Sequence, residues 1–187
     1  MAVSRNPSGE VAGHGPAGSG GLTVEIVDPT GRIKPADLAW LEAMTLKAAG
    51  VMEVTGSVAA RVLGDADMAA AHVEFCGVEG STDVITFDLT DPEDGCAAKR
   101  VVEADLLLCL DEAERQGKTR GHEARRELLL YVVHGVLHCL GHDDHDGEGG
   151  AEYTRMHAEE DRVMQALGIG ATFTTDASPR PADGGVA

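Results

Sequence analysis

The feature that constrains the fold most is an apolar run that leads into a histidine-rich segment. Residues 127–140 read ELLLYVVHGVLHCL, which is apolar on nearly every side of a helix. Because a helix that is apolar all round has to be buried, the run predicts a long central helix over residues 122–140. Gly141 is its predicted end, since glycine tolerates the left-handed conformation found there. Four of the eight histidines lie in residues 134–145, where this helix ends.

Apolar periodicity changes several times elsewhere in the chain. Alternating patterns, which are typical of strands, occupy residues 22–28 and 82–89. Residues 54–63 and the strongly apolar run 101–111 are also predicted to be strands. Helical spacing occupies residues 35–50, 65–77, 112–117 and 150–168. Asp65 is a predicted N-cap, and Gly50 and Gly77 are predicted helix ends. We therefore predict one domain of the α+β class, close to α/β, in which a small mixed β-sheet packs against helices and one helix is buried.

Composition predicts where this domain begins and ends. Residues 1–21 and 171–187 are rich in Gly, Pro and other small residues and contain few large apolar ones. Such segments bury too little apolar surface to offset the entropy of ordering, so both are predicted to be disordered extensions. The folded domain is then predicted to span residues 22–170.

Charge and cysteine content narrow the range of partners and compartments. The chain carries 32 acidic against 15 basic residues, a net charge of −17, which disfavours non-specific binding to DNA. No apolar run approaches the roughly 20 residues of a membrane span, and the N-terminus lacks the apolar core of a signal peptide. We expect no membrane partner and a cytoplasmic location.

The cysteines form no C-x-x-C pair and are expected to be reduced. They are Cys76, Cys96, Cys109 and Cys139.

The spacing of two histidines predicts a metal site. His134 and His138 are four residues apart, so they lie on the same face of the helix and their rings can share one cation. Gly141 lets the chain reverse, which brings a third ligand from residues 142–145 towards the same ion. Three protein ligands and one open position are typical of catalytic zinc. A lone histidine on an apolar helix would instead be a hydrogen-bonded core residue, an interpretation that this spacing disfavours.

These residues resemble the signature H-G-x-L-H-L-x-G-Y-D-H of the YbeY family of bacterial ribosomal-RNA maturation factors. The matching positions are His134, Gly135, Leu137, His138, Leu140, Gly141 and Asp143, followed by a histidine. Three further segments resemble the family in the right order: STDVITF, ADLLLCLDEA and RMHAEEDRVMQALG. The resemblance implies a zinc-dependent endoribonuclease that matures the 3′ end of 16S ribosomal RNA and acts in ribosome quality control. It also implies that the partners are ribosomal RNA, the small ribosomal subunit and its assembly factors.

The chain departs from the family motif at the third histidine. Asp144 occupies the family's position for that residue, and His145 follows it. We predict one Zn²⁺ per chain, bound by His134, His138 and His145, with Asp144 as the alternative third ligand. Three neutral imidazoles would leave the full charge of the ion to attract a phosphate. Cys139 replaces a family leucine and is predicted to pack in the core.

A second departure concerns a basic residue. In the family an arginine precedes the strand that STDVITF resembles, whereas Cys76 stands at that position here. The nearest basic residues lead into the metal helix and are either phosphate ligands or a solvated helix start: Lys118, Arg120, Arg125 and Arg126. The sequence identifies no general base. Glu127 is two turns before His134 and either shares its face or serves packing and capping.

Two other classes of protein remain open on the sequence. One is a metallopeptidase, because His134, His138, Gly141 and Asp144 have the spacing of H-E-x-x-H-x-x-G-x-x-H, although Gly135 replaces the glutamate base. The other is a non-catalytic ribosome-assembly factor that contains a structural zinc.

Overall fold

The computed structural model describes residues 2–3, 21–91, 100–147 and 149–173. The strands in this part of the chain are β1 (Ala2–Val3), β2 (Leu22–Val27), β3 (Thr55–Leu63), β4 (Val84–Asp88) and β5 (Val101–Cys109). The helices are α1 (Pro35–Met52), α2 (Asp65–Cys76), α3 (Leu110–Arg120), α4 (Ala124–Cys139) and α5 (Ala151–Ala166). Every strand and helix predicted from periodicity is present, and β1 is an addition.

The strands form one mixed sheet in the order β1-β4-β5-β3-β2. Strands β2, β3 and β5 are parallel neighbours, whereas β4 pairs antiparallel with β5. The two-residue strand β1 pairs parallel with β4. Helix α1 connects β2 to β3, as a crossover between parallel neighbours requires. The α+β class with a mixed sheet is therefore confirmed.

Alternation along β5 separates two apolar clusters on opposite faces of the sheet. Val102, Leu106 and Leu108 are at most 1% exposed and belong to the larger cluster, which contains buried residues of α1, α4 and α5. Cys109 belongs to the smaller cluster, which contains Met68 of α2. Successive side chains of a strand point to opposite faces, so β5 contributes to both clusters. Helices thus cover the sheet on both faces.

Helix α4 is the buried helix that the apolar run predicts. Its residues from Glu127 to Val133 are all buried, and it packs on β4 and β5 as well as on α1 and α5. Gly135 faces the sheet at close range: a Cβ there would be 2.7 Å from Leu106 Cδ2 and 2.8 Å from Thr86 Oγ1. The absence of a side chain at this position lets the helix lie against the sheet.

Several predicted helix ends differ from the structure. Helix α1 continues through Gly50 to Met52, and Glu53 adopts the left-handed conformation instead, with φ 56°. Gly64, not Asp65, is the N-cap of α2, and the amide of Asp65 donates to Asp111 Oδ2 at 2.7 Å. Helix α3 extends beyond the predicted residues 112–117: it begins directly at the end of β5 and continues to Arg120. Tertiary contacts, which local patterns do not contain, determine these ends.

The predicted domain boundaries stay a prediction. Most of residues 1–21 and 171–187 lie outside the described residues, as does Cys96. Among those described, the amides of Thr172 and Phe173 donate to Asp161 Oδ1 at 2.5 and 3.1 Å, which holds the segment after α5 against that helix. In the described ranges, no helix combines the length and the apolar character needed to cross a bilayer.

Candidate metal centre

His134 and His138 lie one turn apart near the end of α4, and their rings converge. The two Nε2 atoms are 2.9 Å apart, and the ring centroids are separated by 4.5 Å. Both side chains are largely buried, at 15% and 3% exposure. The helical spacing predicted from the sequence therefore brings two ring nitrogens to one point.

A carboxylate completes this group after the chain reverses. Gly141 has φ 84°, the left-handed conformation that the turn requires. Asp144 then approaches both rings: its Oδ2 is 3.9 Å from His134 Nε2, and its Oδ1 is 3.8 Å from His138 Nε2. The ligand atoms of the three residues all lie within 4.8 Å of one another. Two imidazoles and one carboxylate form a donor set that zinc accepts.

His145, the predicted third ligand, is not brought to His134 and His138. Its side chain is 54% exposed, and its Nδ1 contacts Asp143 Oδ1. It groups with Asp143 and Asp144 instead. The reversal at Gly141 places position 144 over the two histidines, and the next side chain along the turn points elsewhere. The geometry therefore supports Asp144, the alternative third ligand, while the assignment of ligands to an ion stays a prediction.

The other nitrogen of each ring is held by an acceptor. His134 Nδ1 donates to Glu160 Oε1 on α5 at 2.6 Å, and His138 Nδ1 donates to the carbonyl oxygen of His142 at 3.0 Å. Glu160 is 1% exposed and also accepts from His157 Nδ1, at 2.5 Å. These acceptors favour the tautomer with the proton on Nδ1, so Nε2 of each ring, when neutral, has its lone pair free for a cation. Sequence reasoning missed Glu160, although it lies in RMHAEEDRVMQALG, one of the segments that resemble the family.

Burial and charge shift the pKa of these groups in opposite directions. Burial lowers the pKa of His134, but the hydrogen bond to Glu160 and its negative charge outweigh this and raise it above the usual value. Burial, together with the neighbouring His134, lowers the pKa of His138 to about 4. Burial would raise the pKa of Glu160, yet the hydrogen bonds from His134 and His157 hold it below its usual range. His138 is therefore neutral near pH 7, the form that binds metal.

The centre opens into a cavity of about 530 Å³. His134, Asp144 and Glu160 lie in its wall, together with residues of α2, α3 and the segment before β4. Cys76, which stands where the family has arginine, also lines this cavity. The position of the missing basic residue thus faces the centre.

Of the four basic residues that lead into α4 or lie in its first turn, the structure brings Arg120 to the cavity. Arg125 pairs with Asp37 and Glu123 and lies over the ring of Trp40, with Cζ 4.8 Å from its centroid. Arg126 donates to the carbonyl oxygens of residues 170 and 171, and Lys118 is exposed. Arg125 and Arg126 therefore hold elements together, whereas Arg120 can meet a ligand.

Glu127 and Cys139 have structural roles. Glu127 is buried and accepts two hydrogen bonds from Arg120 Nη1, at 3.0 and 2.8 Å, while His122 Nε2 lies 3.0 Å from it. It is not among the residues that line the cavity, and its carboxylate is occupied by Arg120, so it serves packing rather than the centre. Cys139 packs partly buried against the main core, as predicted.

Gly135 distinguishes this centre from the active site of a metallopeptidase. A peptidase of the H-E-x-x-H type needs a glutamate base at this position. Position 135 faces Leu106 and Thr86 of the sheet, and even a Cβ would come within 2.8 Å of Thr86 Oγ1. A glutamate here would point into the core rather than towards the cavity. The packing of α4 therefore disfavours the peptidase chemistry.

The fold and the centre define a small α+β protein whose buried helix presents two histidines, with a carboxylate, to an open cavity. Residues 34–168 match the model of the family described as Endoribonuclease YbeY, and the chain belongs to that family. A relative from Nocardioides sp. with the same description is 30% identical over 156 residues, 78% of this chain and 97% of that protein. One from Macrococcus caseolyticus is 30% identical over 153 residues, 79% of this chain and 97% of that protein.

Other comparisons cover less. The match to a relative from Deinococcus radiodurans, 35% identical over 88 residues, spans 47% of this chain and 56% of that protein. A solution structure of a Thermotoga maritima protein covers 84% of this chain and 100% of its own, with 19% identity and a TM-score of 0.49.

Proposed function

We propose that this protein is a zinc-dependent endoribonuclease that processes ribosomal RNA, with one Zn²⁺ per chain bound by His134, His138 and Asp144. The observation that carries the proposal is the convergence of the two Nε2 atoms and the Asp144 carboxylate beside an open cavity, which His134 and Asp144 line. The YbeY family, described as endoribonucleases, supports the reaction class. Zinc supplies Lewis acidity for a phosphoryl oxygen and lowers the pKa of a bound water.

The chain's own residues supply orientation. Glu160 and the His142 carbonyl hold the two rings with Nε2 towards the cavity, so the ligand atoms need little rearrangement. A carboxylate ligand makes the site one charge less positive than three imidazoles would. Arg120 adds a positive charge to the same cavity, where four acidic residues also lie: Asp83, Glu112, Asp144 and Glu160.

The substrate we propose is ribosomal RNA in the context of the small ribosomal subunit, where assembly factors assist delivery. A chain with a net charge of −17 attracts free RNA poorly, and positioning on a subunit replaces electrostatic capture. The same charge argues against DNA as a partner. The proposed location is the cytoplasm, where these substrates are made.

Cleavage of precursor 16S ribosomal RNA, free and in immature small subunits, tests the proposal. Zinc-loaded wild-type protein should cut, and His138→Ala should reduce cutting to the level of a protein-free reaction, because it removes one of two nitrogen ligands. His142→Ala is the matched control: it removes an imidazole from the same segment but leaves the backbone carbonyl that holds His138. Equal cutting by wild type and His138→Ala would show a contaminating nuclease and favour a non-catalytic assembly factor.

A further inference from the structure

One wall of the cavity is aromatic, and none of its members is a candidate metal ligand, although His157 also donates to Glu160. Tyr153 and His157 on α5 meet edge to face, with centroids 4.1 Å apart. Phe173 stacks on His157, with centroids 3.8 Å apart and ring planes at 26°. All three residues line the cavity that also contains His134 and Asp144. A continuous aromatic surface therefore lies beside the candidate metal ligands.

Arg120 adjoins this aromatic surface. Its Cζ is 5.6 Å from the centroid of Phe173, and about a third of its side chain is exposed, at 32%. The buried carboxylate of Glu127 takes both of its contacts through Nη1, at 3.0 and 2.8 Å. Nε and Nη2 donate to nothing else in the described ranges, and guanidinium carries five donors in all. Among the described residues that line the cavity, Arg120 is the one lysine or arginine.

A second, independent feature points to a ligand. Tyr131 of α4 lines the cavity and is 4% exposed, and its hydroxyl has no hydrogen-bond partner among the described residues. A buried hydroxyl without a partner is costly in free energy, so a ligand that supplies one is favoured. Phe173, at 36% exposure, is also among the exposed large apolar side chains.

We propose that Arg120, Tyr153, His157 and Phe173 form a nucleotide subsite for single-stranded RNA, in which a base stacks on the aromatic surface and Arg120 binds an adjacent phosphate. This rests on the proposed function, to which it adds how the substrate is held. Single-stranded RNA is recognised by stacking of unpaired bases on aromatic side chains, and arginine pairs well with phosphate oxygens. The four carboxylates of the cavity repel phosphate, so this guanidinium carries the electrostatic contact.

Fluorescence anisotropy with two probes distinguishes the stacking contact from the phosphate contact. One probe is a short fluorescein-labelled single-stranded oligoribonucleotide, and the other is an abasic oligomer of the same length, which keeps the phosphates. Phe173→Ala should weaken binding of the first probe about fivefold or more and leave the second unchanged, since base–aromatic stacking is lost. Arg120→Gln should weaken both, and should reduce the slope of log affinity against log salt by about 0.7, as expected for one phosphate contact.

Two variants serve as matched controls. Lys118→Gln removes the same charge from an exposed position of α3 outside the cavity, and Leu46→Ala removes an exposed apolar side chain from α1. Both should bind like wild type. Thermal melts check folding, and if Arg120→Gln does not fold, the response of Phe173→Ala to the two probes decides alone.

Wild-type affinity that is equal for the two probes, or unchanged affinity in Phe173→Ala, would overturn the subsite. The same conclusion follows if wild type binds neither probe. Because binding is measured separately from cutting, the two proposals fail separately. Base-dependent binding without cleavage would keep the subsite and remove the nuclease assignment.

Discussion

At the scale of single residues, the centre depends on one carboxylate, that of Asp144, which the reversal of the chain at Gly141 brings to the two histidines. Asp144 reaches both Nε2 atoms within 3.9 Å, whereas His145 is more than half exposed, at 54%. Imidazole and carboxylate are both zinc ligands, so chemistry alone does not choose between them. The position of each side chain in the turn after Gly141 determines which of the two faces the histidine rings.

Metal analysis of two variants tests this choice. Asp144→Asn should lose stoichiometric zinc, because the neutral amide replaces the carboxylate between the two rings. His145→Ala should keep it, since its ring lies with Asp143. Inductively coupled plasma mass spectrometry of the purified proteins measures both. Zinc lost in His145→Ala but retained in Asp144→Asn would restore the histidine as third ligand.

Glu160 is expected to act on the metal through His134. Glu160→Gln should weaken zinc binding by roughly 10- to 100-fold, the usual effect of losing a partner behind a ligand. The neighbouring Glu159→Gln is the control, because Glu159 pairs with Arg162. Competition with a fluorescent chelator measures the affinities, and the spectrum of the cobalt-loaded protein reports ligand geometry. Equal affinities for the two variants would show that Glu160 serves packing alone.

At the scale of elements, the approach of α4 to the sheet determines which side of the helix the histidines occupy. Leu106 and Thr86 lie against Gly135, while His134 and His138 face α5 and the turn after Gly141. A side chain at position 135 would force Leu106 and Thr86, or the helix itself, to shift. The glycine of the family motif is therefore a packing residue in this fold.

Two glycine-to-alanine variants separate packing from helix propensity. Gly135→Ala should lower the free energy of unfolding by about 1–3 kcal/mol, because its Cβ overpacks a closed core. Gly50→Ala should raise it by roughly 0.5–1 kcal/mol, since Gly50 lies in α1 and its added Cβ would meet nothing within 4 Å. Urea denaturation of both measures the difference. A stabilised Gly135→Ala would mean that the helix shifts without cost.

At the scale of the whole molecule, acidic groups hold separate elements together. Arg115 on α3 donates to Asp65 of α2 and lowers the pKa of that carboxyl to about 2. The hydrogen bond from the Asp65 amide lowers the pKa of Asp111, and the hydrogen bond from Arg32 lowers it further. These carboxylates link α2, α3 and the segment before α1.

Stability is therefore expected to fall in acid. A carboxyl whose pKa is lower in the folded state stabilises the protein fully above its unfolded pKa, near 3.8 for Asp65, and loses this as pH falls towards 2. Because the ion pair is partly exposed, its share is at most about 1 kcal/mol. Urea midpoints between about pH 5 and pH 2 should fall, and less steeply in Asp65→Asn. Parallel profiles for the two proteins would assign the acid sensitivity to other groups.

Local pattern alone determined the elements and two of the candidate ligands. Periodicity predicted each helix and strand from residue 22 onwards, and the four-residue spacing of His134 and His138 determined that they share a face, because both follow from the geometry of a single element. The third ligand, Glu160 and Arg120 were decided by tertiary structure. Asp144 depends on the path of a turn, Glu160 reaches His134 from another helix, and Arg120 meets Phe173 across the cavity. Contacts between elements distant in sequence leave no periodic signal in either one, so only the folded chain brings these groups together.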